Sequence, residues 1–240
     1  MRISILTLFT EMFSGPFDYS IIKRAKQNNA VTIDIVNIRD FAKDSYKSVD
    51  NHPYGGGVGM VLKVDIIDKA LSNVKCQKSN VKCKEYVILL DPRGTPFTQA
   101  KARELTKFDH LILVCGHYEG VDERVTSLVN ESVSIGEYIL TGGEIPAMAV
   151  ADAVVRLLPN VLKKEATLSE SFSLPNSSSS DLPILEYPQY TRPEVYKGMK
   201  VPEVLLGGNH KKIEEWRLKM SSSGLTRGSS SSYSGSLQVR

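Results

Sequence analysis

The sequence has 240 residues, of which 41% are hydrophobic and 24% are charged, with a formal net charge of +3 at pH 7. This composition is typical of a soluble protein with a buried core, and so small a charge does not by itself establish a nucleic-acid partner. The opening residues "MRISILTLFTEMF" turn acidic too early for a signal peptide, and no apolar run is long enough to span a bilayer. We therefore expect a cytoplasmic protein.

Strand-like and helix-like segments alternate along the first two thirds of the chain. Continuous apolar runs predict strands over 2–9, 31–38, 86–91 and 111–115. Periodicity and composition predict helices over 21–28, 64–74, 98–108, 121–129 and 145–159. The alternation predicts an α/β fold with a mostly parallel sheet, which the residues alone would suggest to be an ordinary doubly wound one.

The composition changes after Leu162 and predicts four parts. Residues 1–162 form the larger domain, and residues 163–183, with "NSSSSDLP", form a flexible linker. Residues 184–220 form a small, mainly helical domain whose last helix, over 209–220, Asn209 could cap. Residues 221–240 contain nine Ser and three Gly, and we expect this Ser-rich tail to be disordered.

Cysteine and histidine positions give no indication of a metal site. The cysteines lack CxxC spacing and are expected to be reduced thiols: Cys76, Cys83 and Cys115. The histidines lack metal-ligand spacing: His52, His110, His117 and His210. We therefore expect no structural metal.

Three loops that follow predicted strands are the candidates for a ligand site, because ligands of open α/β sheets bind at the carboxyl ends of the strands. The loops are "DPRGTPF" (91–97), "CGHYEGVDER" (115–124) and "SIGEYILTGGEIP" (134–146). Each places Gly or Pro at a strand exit, which leaves backbone N–H and C=O groups free to face a ligand. The alternative is that these glycines only end strands and cap helices.

The charges in these loops are acidic: Glu119, Asp122, Glu137 and Glu144. Phosphate sites instead enlist Lys or Ser/Thr at a helix N-terminus, and the chain has neither a GxGxxG nor a P-loop fingerprint. This disfavours a dinucleotide oxidoreductase. Acidic, glycine-rich loops favour a cationic cofactor without phosphate, such as the sulfonium S-adenosylmethionine.

Four motifs extend this hypothesis to a family. They are "NHPYGGGVGMVLK" (51–63), "VCGHYEGVDER" (114–124), "SIGEYILTGGEIPAM" (134–148) and "YPQYTRPEVYKG" (187–198). Together they resemble the bacterial tRNA (guanine-N1)-methyltransferases of the SPOUT class, in the same order and with similar spacing, from Met1 to about Met220. The resemblance implies a catalytic domain over 1–162 with a deep trefoil knot around "CGHYEG" and "SIGEYILTGG". It also implies an obligate homodimer in which both subunits build each active site.

The resemblance implies a set of cofactor-binding residues. The main chain of the bent loop would bind the adenine: Ile135, Gly136, Glu137, Tyr138, Ile139 and Leu140. Gly142 and Gly143 would allow close approach, and any Cβ at Gly142 would take space that the cofactor needs. The remaining wall would consist of Leu89, Leu90, Pro92, Gly116, Tyr118, Glu119, Gly120 and Pro146.

The resemblance also implies the catalytic groups. Guanine N1 carries a proton, so a general base must remove it, and a cation near the carbonyl oxygen would stabilise the developing charge. Arg156 matches the family's Arg. In the family, the Asp that acts as general base lies in "DSF", whereas this chain has "ESF". The general base would therefore be Glu170, with Asp181 as the alternative. A Mg²⁺ requirement is compatible with the resemblance, although no dedicated protein site is evident.

The partner implied by the resemblance is the anticodon stem-loop of tRNA, which residues 184–220 would grip with basic residues and with Tyr187, Tyr190 and Tyr196. The loop "PYGGGVGM" (53–60) either accommodates the target guanosine or is a structural turn. Two other functions stay open: a SPOUT ribose 2′-O-methyltransferase, and a non-catalytic RNA-binding protein.

Overall fold

The structure is a computed structural model that describes residues 1–75, 83–163, 166–167, 170–172 and 185–222. Its contacts divide the chain into two units, Met1–Lys164 and Glu165–Arg240. The domain boundaries expected at 162, 183 and 220 stay a prediction. Cys76, Asp181 and most of the Ser-rich tail lie outside the described residues.

A five-stranded parallel sheet forms the centre of the first unit. Its strands are β1 (Arg2–Thr7), β2 (Thr32–Asn37), β5 (Glu85–Pro96), β6 (His110–Cys115) and β7 (Glu131–Ser134). Their spatial order is β2-β1-β6-β5-β7, and β3 (Asp50–Asn51) pairs separately with β4 (Val61–Leu62). The expected α/β fold with a mostly parallel sheet is confirmed, whereas the knot stays a prediction.

Helices cover both faces of the sheet, which explains why its central strands are continuous apolar runs rather than alternating ones. Three of them belong to the core of one face: α1 (Ser20–Gln27), α3 (Gln99–Leu105) and α4 (Glu144–Val155). The helix α2 (Val64–Val74) belongs to the core of the other. Alternate residues of β6 serve the two cores: Leu113 packs with α4, and Ile112 packs with α2.

Two local predictions differ from the structure. The helix expected over 121–129 is a shorter 3-10 helix, Glu123–Leu128, because hydroxyl groups compete for its carbonyls. Thr126 donates to the carbonyl of Glu123 at 2.6 Å, and Ser127 donates to that of Arg124 at 2.7 Å. The strand β7 was not predicted, since its four residues are half polar and give no apolar run.

The cysteines do not all share the expected state. Cys115 is a buried free thiol, whereas Cys83, just before β5, is disulfide-bonded. The expectation of reduced thiols is therefore wrong for Cys83, because the spacing of cysteines in a sequence does not show which of them the fold pairs.

The second unit contains a short hairpin and two helices among its described residues. The hairpin joins β8 (Val195–Tyr196) to β9 (Met199–Lys200), and the helices are α5 (Glu203–Leu206) and α6 (His210–Ser222). Asn209 caps α6 as expected, accepting from the backbone N–H of Lys212 at 3.2 Å. No helix among the described residues has both the length and the apolar character that crossing a membrane requires.

Candidate cofactor cleft

A cleft of about 1370 Å³ opens at the carboxyl ends of β5, β6 and β7. The three loops that follow these strands form its walls, as the parallel sheet predicted. With the exception of Glu137, whose side chain is exposed, every residue expected to bind the cofactor lines it: Leu89, Leu90, Pro92, Gly116, Tyr118, Glu119, Gly120, Ile135, Gly136, Tyr138, Ile139, Leu140, Gly142, Gly143 and Pro146.

The loop after β6 and the loop before α4 are joined by backbone contacts. Gly143 N–H donates to the Gly116 carbonyl at 2.8 Å, and His117 pairs with Gly142 in an isolated bridge. A Cβ at Gly143 would lie 2.6 Å from Cα of Cys115. Glycine is therefore required at position 143 for the two chain segments to approach each other.

Gly142 is closely packed inside the protein, before any ligand is considered. A Cβ at this position would lie 2.6 Å from Nδ1 of His117 and would also collide with the carboxylate of Glu144. We expected the absence of a side chain to serve the cofactor. The structure adds a second cause, because a substitution would first displace His117 and Glu144.

The glycine-rich loop 53–60 is tied to the same cleft. Glu119 N–H donates to the Met60 carbonyl at 3.1 Å, and Leu62 N–H donates to the Gly120 carbonyl at 3.1 Å. Gly59 has a φ of +89°, and a Cβ there would collide with the side chain of Glu119. Because Pro53 and Tyr54 line the cleft, this loop borders the site, and its role in holding the target guanosine stays a prediction.

The strand β5 interrupts its pairing at the cleft mouth. Leu90 and Thr95 both pair with Val133 of β7, so residues 91–94 form an excursion between two stretches of the same strand. Asp91, Pro92 and Arg93 from this excursion line the cleft. This places side chains at the mouth without breaking the sheet.

The acids at the cleft are largely paired, which the sequence did not indicate. Arg124 bonds the carboxylate of Asp122 at 2.7 Å and lowers the pKa of Asp122 to about 2. Arg93 contacts Asp91 and Glu123, each at 3.1 Å. Of the four acids that we singled out, Glu119 and Asp122 line the cleft, Glu137 does not, and Glu144 is buried beside it.

The two expected catalytic residues lie in different units. Arg156 is the C-cap residue of α4, whose 12 residues span about 18 Å from its start at the cleft. It is therefore a helix length away from the cleft of its own chain. Glu170 belongs to the second unit and is half-buried.

One cleft residue within the motif "CGHYEG" was not predicted from the sequence. His117 lines the cleft next to Gly116. No sequence signal shows its partner, because Glu144 is 27 positions away and meets it only in the fold.

Comparison with known proteins agrees with this geometry. The family described as "tRNA (Guanine-1)-methyltransferase TrmD" matches residues 1–228. The chain belongs to this tRNA (guanine-1)-methyltransferase family. The expected family is thereby confirmed, and with it the expected class of enzyme.

Individual relatives of the tRNA (guanine-1)-methyltransferase family are similar over most of their length. A protein of Dictyoglomus turgidum is 52% identical over 219 residues, which are 91% of this chain and 84% of the relative. One from Bacillus subtilis is 49% identical over 223 residues, 92% of this chain and 87% of the relative. Both are named tRNA (guanine-N(1)-)-methyltransferase.

Proposed function

We propose that this protein transfers a methyl group from S-adenosylmethionine to N1 of the guanosine 3′ of the anticodon in tRNA. The observation that carries the proposal is the glycine-walled cleft at the carboxyl ends of β5, β6 and β7, in a chain of this family. Its volume of about 1370 Å³ exceeds the roughly 300–1,000 Å³ of an ordinary small-molecule site. The cleft therefore has room for a nucleoside cofactor and for part of a second ligand.

The cleft residues suit the cofactor by shape and by chemistry. S-adenosylmethionine supplies an electrophilic methyl group on a sulfonium. Backbone groups of Ile135–Leu140 would bind the adenine edge, while the side chains of Leu89 and Leu90, both almost fully buried, give an apolar floor. Glu119, exposed on the wall formed with Gly59, provides a negative charge that suits a cation.

Two residues of the chain would carry the proton chemistry. Glu170 takes the N1 proton of guanine, and the electron pair of that nitrogen then forms the bond to the methyl carbon as the bond from carbon to sulfur breaks. Arg156 stabilises the negative charge that spreads onto the guanine carbonyl oxygen. Glu in place of the family's Asp keeps the same chemistry with one methylene more reach. Asp181 is the alternative base.

The position of Arg156 supports a homodimer with shared sites. This residue lies about 18 Å along α4 from the cleft, and an arginine side chain cannot cover that distance. The guanidinium would therefore serve the cleft of a second copy. The exposed apolar side chains of Tyr138, Ile139 and Ile145 beside the cleft support a second copy as the group that covers this surface.

The second unit would hold the tRNA. The Trp216 ring lies 6.4 Å from Tyr187 and 6.3 Å from Tyr190, and Arg217 lies over Tyr187 at 4.8 Å, so these rings form an aromatic cluster in which Tyr190 is 46% exposed. Tyr196, on the hairpin, is 56% exposed and is the better candidate for stacking on a base.

We further propose that the first unit contains the trefoil knot of the SPOUT class and that the protein is cytoplasmic. A Mg²⁺ requirement is compatible with the family. However, the described residues include no group of three or more acidic, histidine or cysteine side chains arranged to hold a metal ion. We assign no protein ligands to Mg²⁺.

A methyl-transfer assay tests the main proposal. The protein is incubated with labelled S-adenosylmethionine and anticodon stem-loops that have or lack guanosine 3′ of the anticodon. We expect label only in the first RNA, and nuclease digestion with mass spectrometry should place the methyl group on N1. A methyl group on the ribose would indicate the 2′-O-methyltransferase, and binding without transfer would indicate a non-catalytic RNA-binding protein.

Mixing two inactive variants tests the shared site. Arg156→Ala and Gly143→Val are refolded together so that subunits exchange. If the site combines a cleft from one chain with Arg156 from its partner, random mixing restores roughly a quarter of wild-type activity, because half of the dimers gain one intact site of two. Activity that stays absent in a mixture proven to contain mixed dimers would place Arg156 in the service of its own chain.

A further inference from the structure

The ring of His117 is tightly packed, yet one of its nitrogens lacks a hydrogen bond. The ring centroid lies 4.7 Å from that of Phe9 and 4.8 Å from that of Tyr118. The side chain lines the cleft and is 19% exposed. Among the described residues, Nδ1 of His117 stands out as a buried side-chain nitrogen without a hydrogen-bond partner. Buried polar atoms in native proteins are nearly always bonded, so this one requires an explanation.

A buried carboxylate faces that nitrogen. Oε2 of Glu144 lies 3.9 Å from Nδ1 of His117, and Glu144 is only 2% exposed. Its other oxygen accepts a hydrogen bond from Thr7 Oγ1 at 2.8 Å, while that hydroxyl accepts from Phe9 N–H at 2.9 Å. The hydroxyl proton of Thr7 is thus directed to Glu144. A carboxylate in the first turn of α4 is also favoured by the helix dipole.

Position 142 has no side chain that would come between the carboxylate of Glu144 and the imidazole of His117. A Cβ at Gly142 would meet both groups, so glycine keeps them within reach of each other. The Tyr118 ring contacts the ring of His117 edge-on, and the Cys115 thiol interacts electrostatically with Glu144. Burial, together with the charge of Glu144, raises the pKa of Cys115, which keeps that thiol neutral.

We infer that Glu144 is a positioning residue, which keeps the ring proton of His117 on Nδ1 and thereby fixes the wall of the cleft formed by residues 116–120. An N–H facing a carboxylate is favoured over a lone pair facing it, so the carboxylate selects the tautomer. The separation of 3.9 Å exceeds a good hydrogen bond by roughly 1 Å. A small inward movement of this wall onto a bound ligand completes the bond.

The tautomer can be measured without any ligand. Long-range proton–nitrogen NMR spectra of the imidazole rings, with His117 assigned by substitution, should show the proton on Nδ1 in the wild type. Glu144→Gln should lose this preference. Glu85→Gln is the matched control, because Glu85 lies 3.2 Å from Nδ1 of His110, and it should change the His110 signal alone. An Nε2-protonated His117 in the wild type, or a His117 signal indifferent to Glu144→Gln, overturns the inference.

A second pair of variants does not depend on whether Glu144→Gln folds. His117→Asn places an amide N–H near the position of Nδ1, whereas His117→Gln does not, and both lose the same ring contacts. By calorimetry with S-adenosylmethionine, we expect Asn to bind within about threefold of the wild type and Gln roughly tenfold more weakly, as the loss of one hydrogen bond predicts. Equal losses in the two variants contradict a role for the Nδ1 donor.

The affinity measurement rests on the proposed function, and the NMR measurement does not. If no variant, including the wild type, binds S-adenosylmethionine while the tautomer result holds, the proposed function fails and the positioning role of Glu144 stands. If the wild type binds and the tautomer result fails, only the inference about Glu144 is lost.

Discussion

The strand β6 has a histidine near each end, and the two differ in whether all their buried ring nitrogens have hydrogen-bond partners. His110, its first residue, is 1% exposed and bonds Ser4 Oγ at 2.9 Å and Glu85 Oε1 at 3.2 Å. His117, two residues beyond its last, has a buried Nδ1 without a partner. The histidine at the amino end of β6 is thus bonded inside the protein, and the histidine beyond its carboxyl end leaves one ring nitrogen unsatisfied beside the cleft.

This contrast predicts that residues at the amino end of β6 serve mainly stability and that residues at its carboxyl end serve mainly function. Changes at the carboxyl end should reduce activity more than they reduce stability, and changes at the amino end should do the opposite. The parallel sheet creates the asymmetry, because loops that leave its strands at one edge are free to form a site while the opposite edge is sealed by packing.

The largest expected effect lies with the proposed base. Glu170→Gln should lower single-turnover methylation by roughly 10²–10⁴-fold, because a general base contributes about that much, and should leave cofactor affinity and melting temperature unchanged. Asp181→Asn is the matched control and should retain activity. Normal turnover by Glu170→Gln together with an inactive Asp181→Asn would transfer the role to Asp181.

A smaller effect is expected at Gly143, where a change near the carboxyl end of β6 should reduce stability as well as activity. Gly143→Ala should destabilise the protein by about 1–3 kcal/mol, the usual cost of overpacking, because its Cβ would lie 2.6 Å from Cα of Cys115. Gly116→Ala meets nothing closer than 3.5 Å, and its unfolding free energy should stay near that of the wild type. Urea unfolding measures both. Equal unfolding free energies of the two variants would show that the chain at Gly143 can move away from Cys115 without loss of stability.

The smallest effect concerns the pH dependence of stability through His110, at the amino end of β6. Burial lowers the pKa of His110 in the folded state, so the unfolded chain takes up the proton first as the pH falls. The contribution of His110 to the free energy of unfolding is therefore complete above about pH 6.5, the ordinary pKa of histidine, and declines below it. Urea unfolding between pH 7.5 and 5.5 should show this slope. His110→Gln should flatten it, and His210→Gln, at an exposed position, should not. An unchanged slope in His110→Gln would assign the effect to another group.

The sequence predicted the sheet and most of the cleft because both depend on local patterns. Apolar runs identify β1, β5 and β6, and the glycines after them mark the strand exits. What it could not predict depends on distant contacts or on competing local bonds. The bond between Thr7 and Glu144 joins residues 137 positions apart. The helix expected over 121–129 gave way to hydroxyl groups that bond their own backbone.

The excursion at residues 91–94 has a consequence for how such a cleft can diversify. Because β5 resumes pairing with Val133 after it, substitutions at residues 91–93 need not shift the register of β7, whereas a Cβ at Gly94 would collide with the backbone of Ser132 and Val133 in that strand. Exchanges at Asp91 and Arg93, which line the cleft, can therefore alter the charge at its rim while the sheet beneath keeps its pairing.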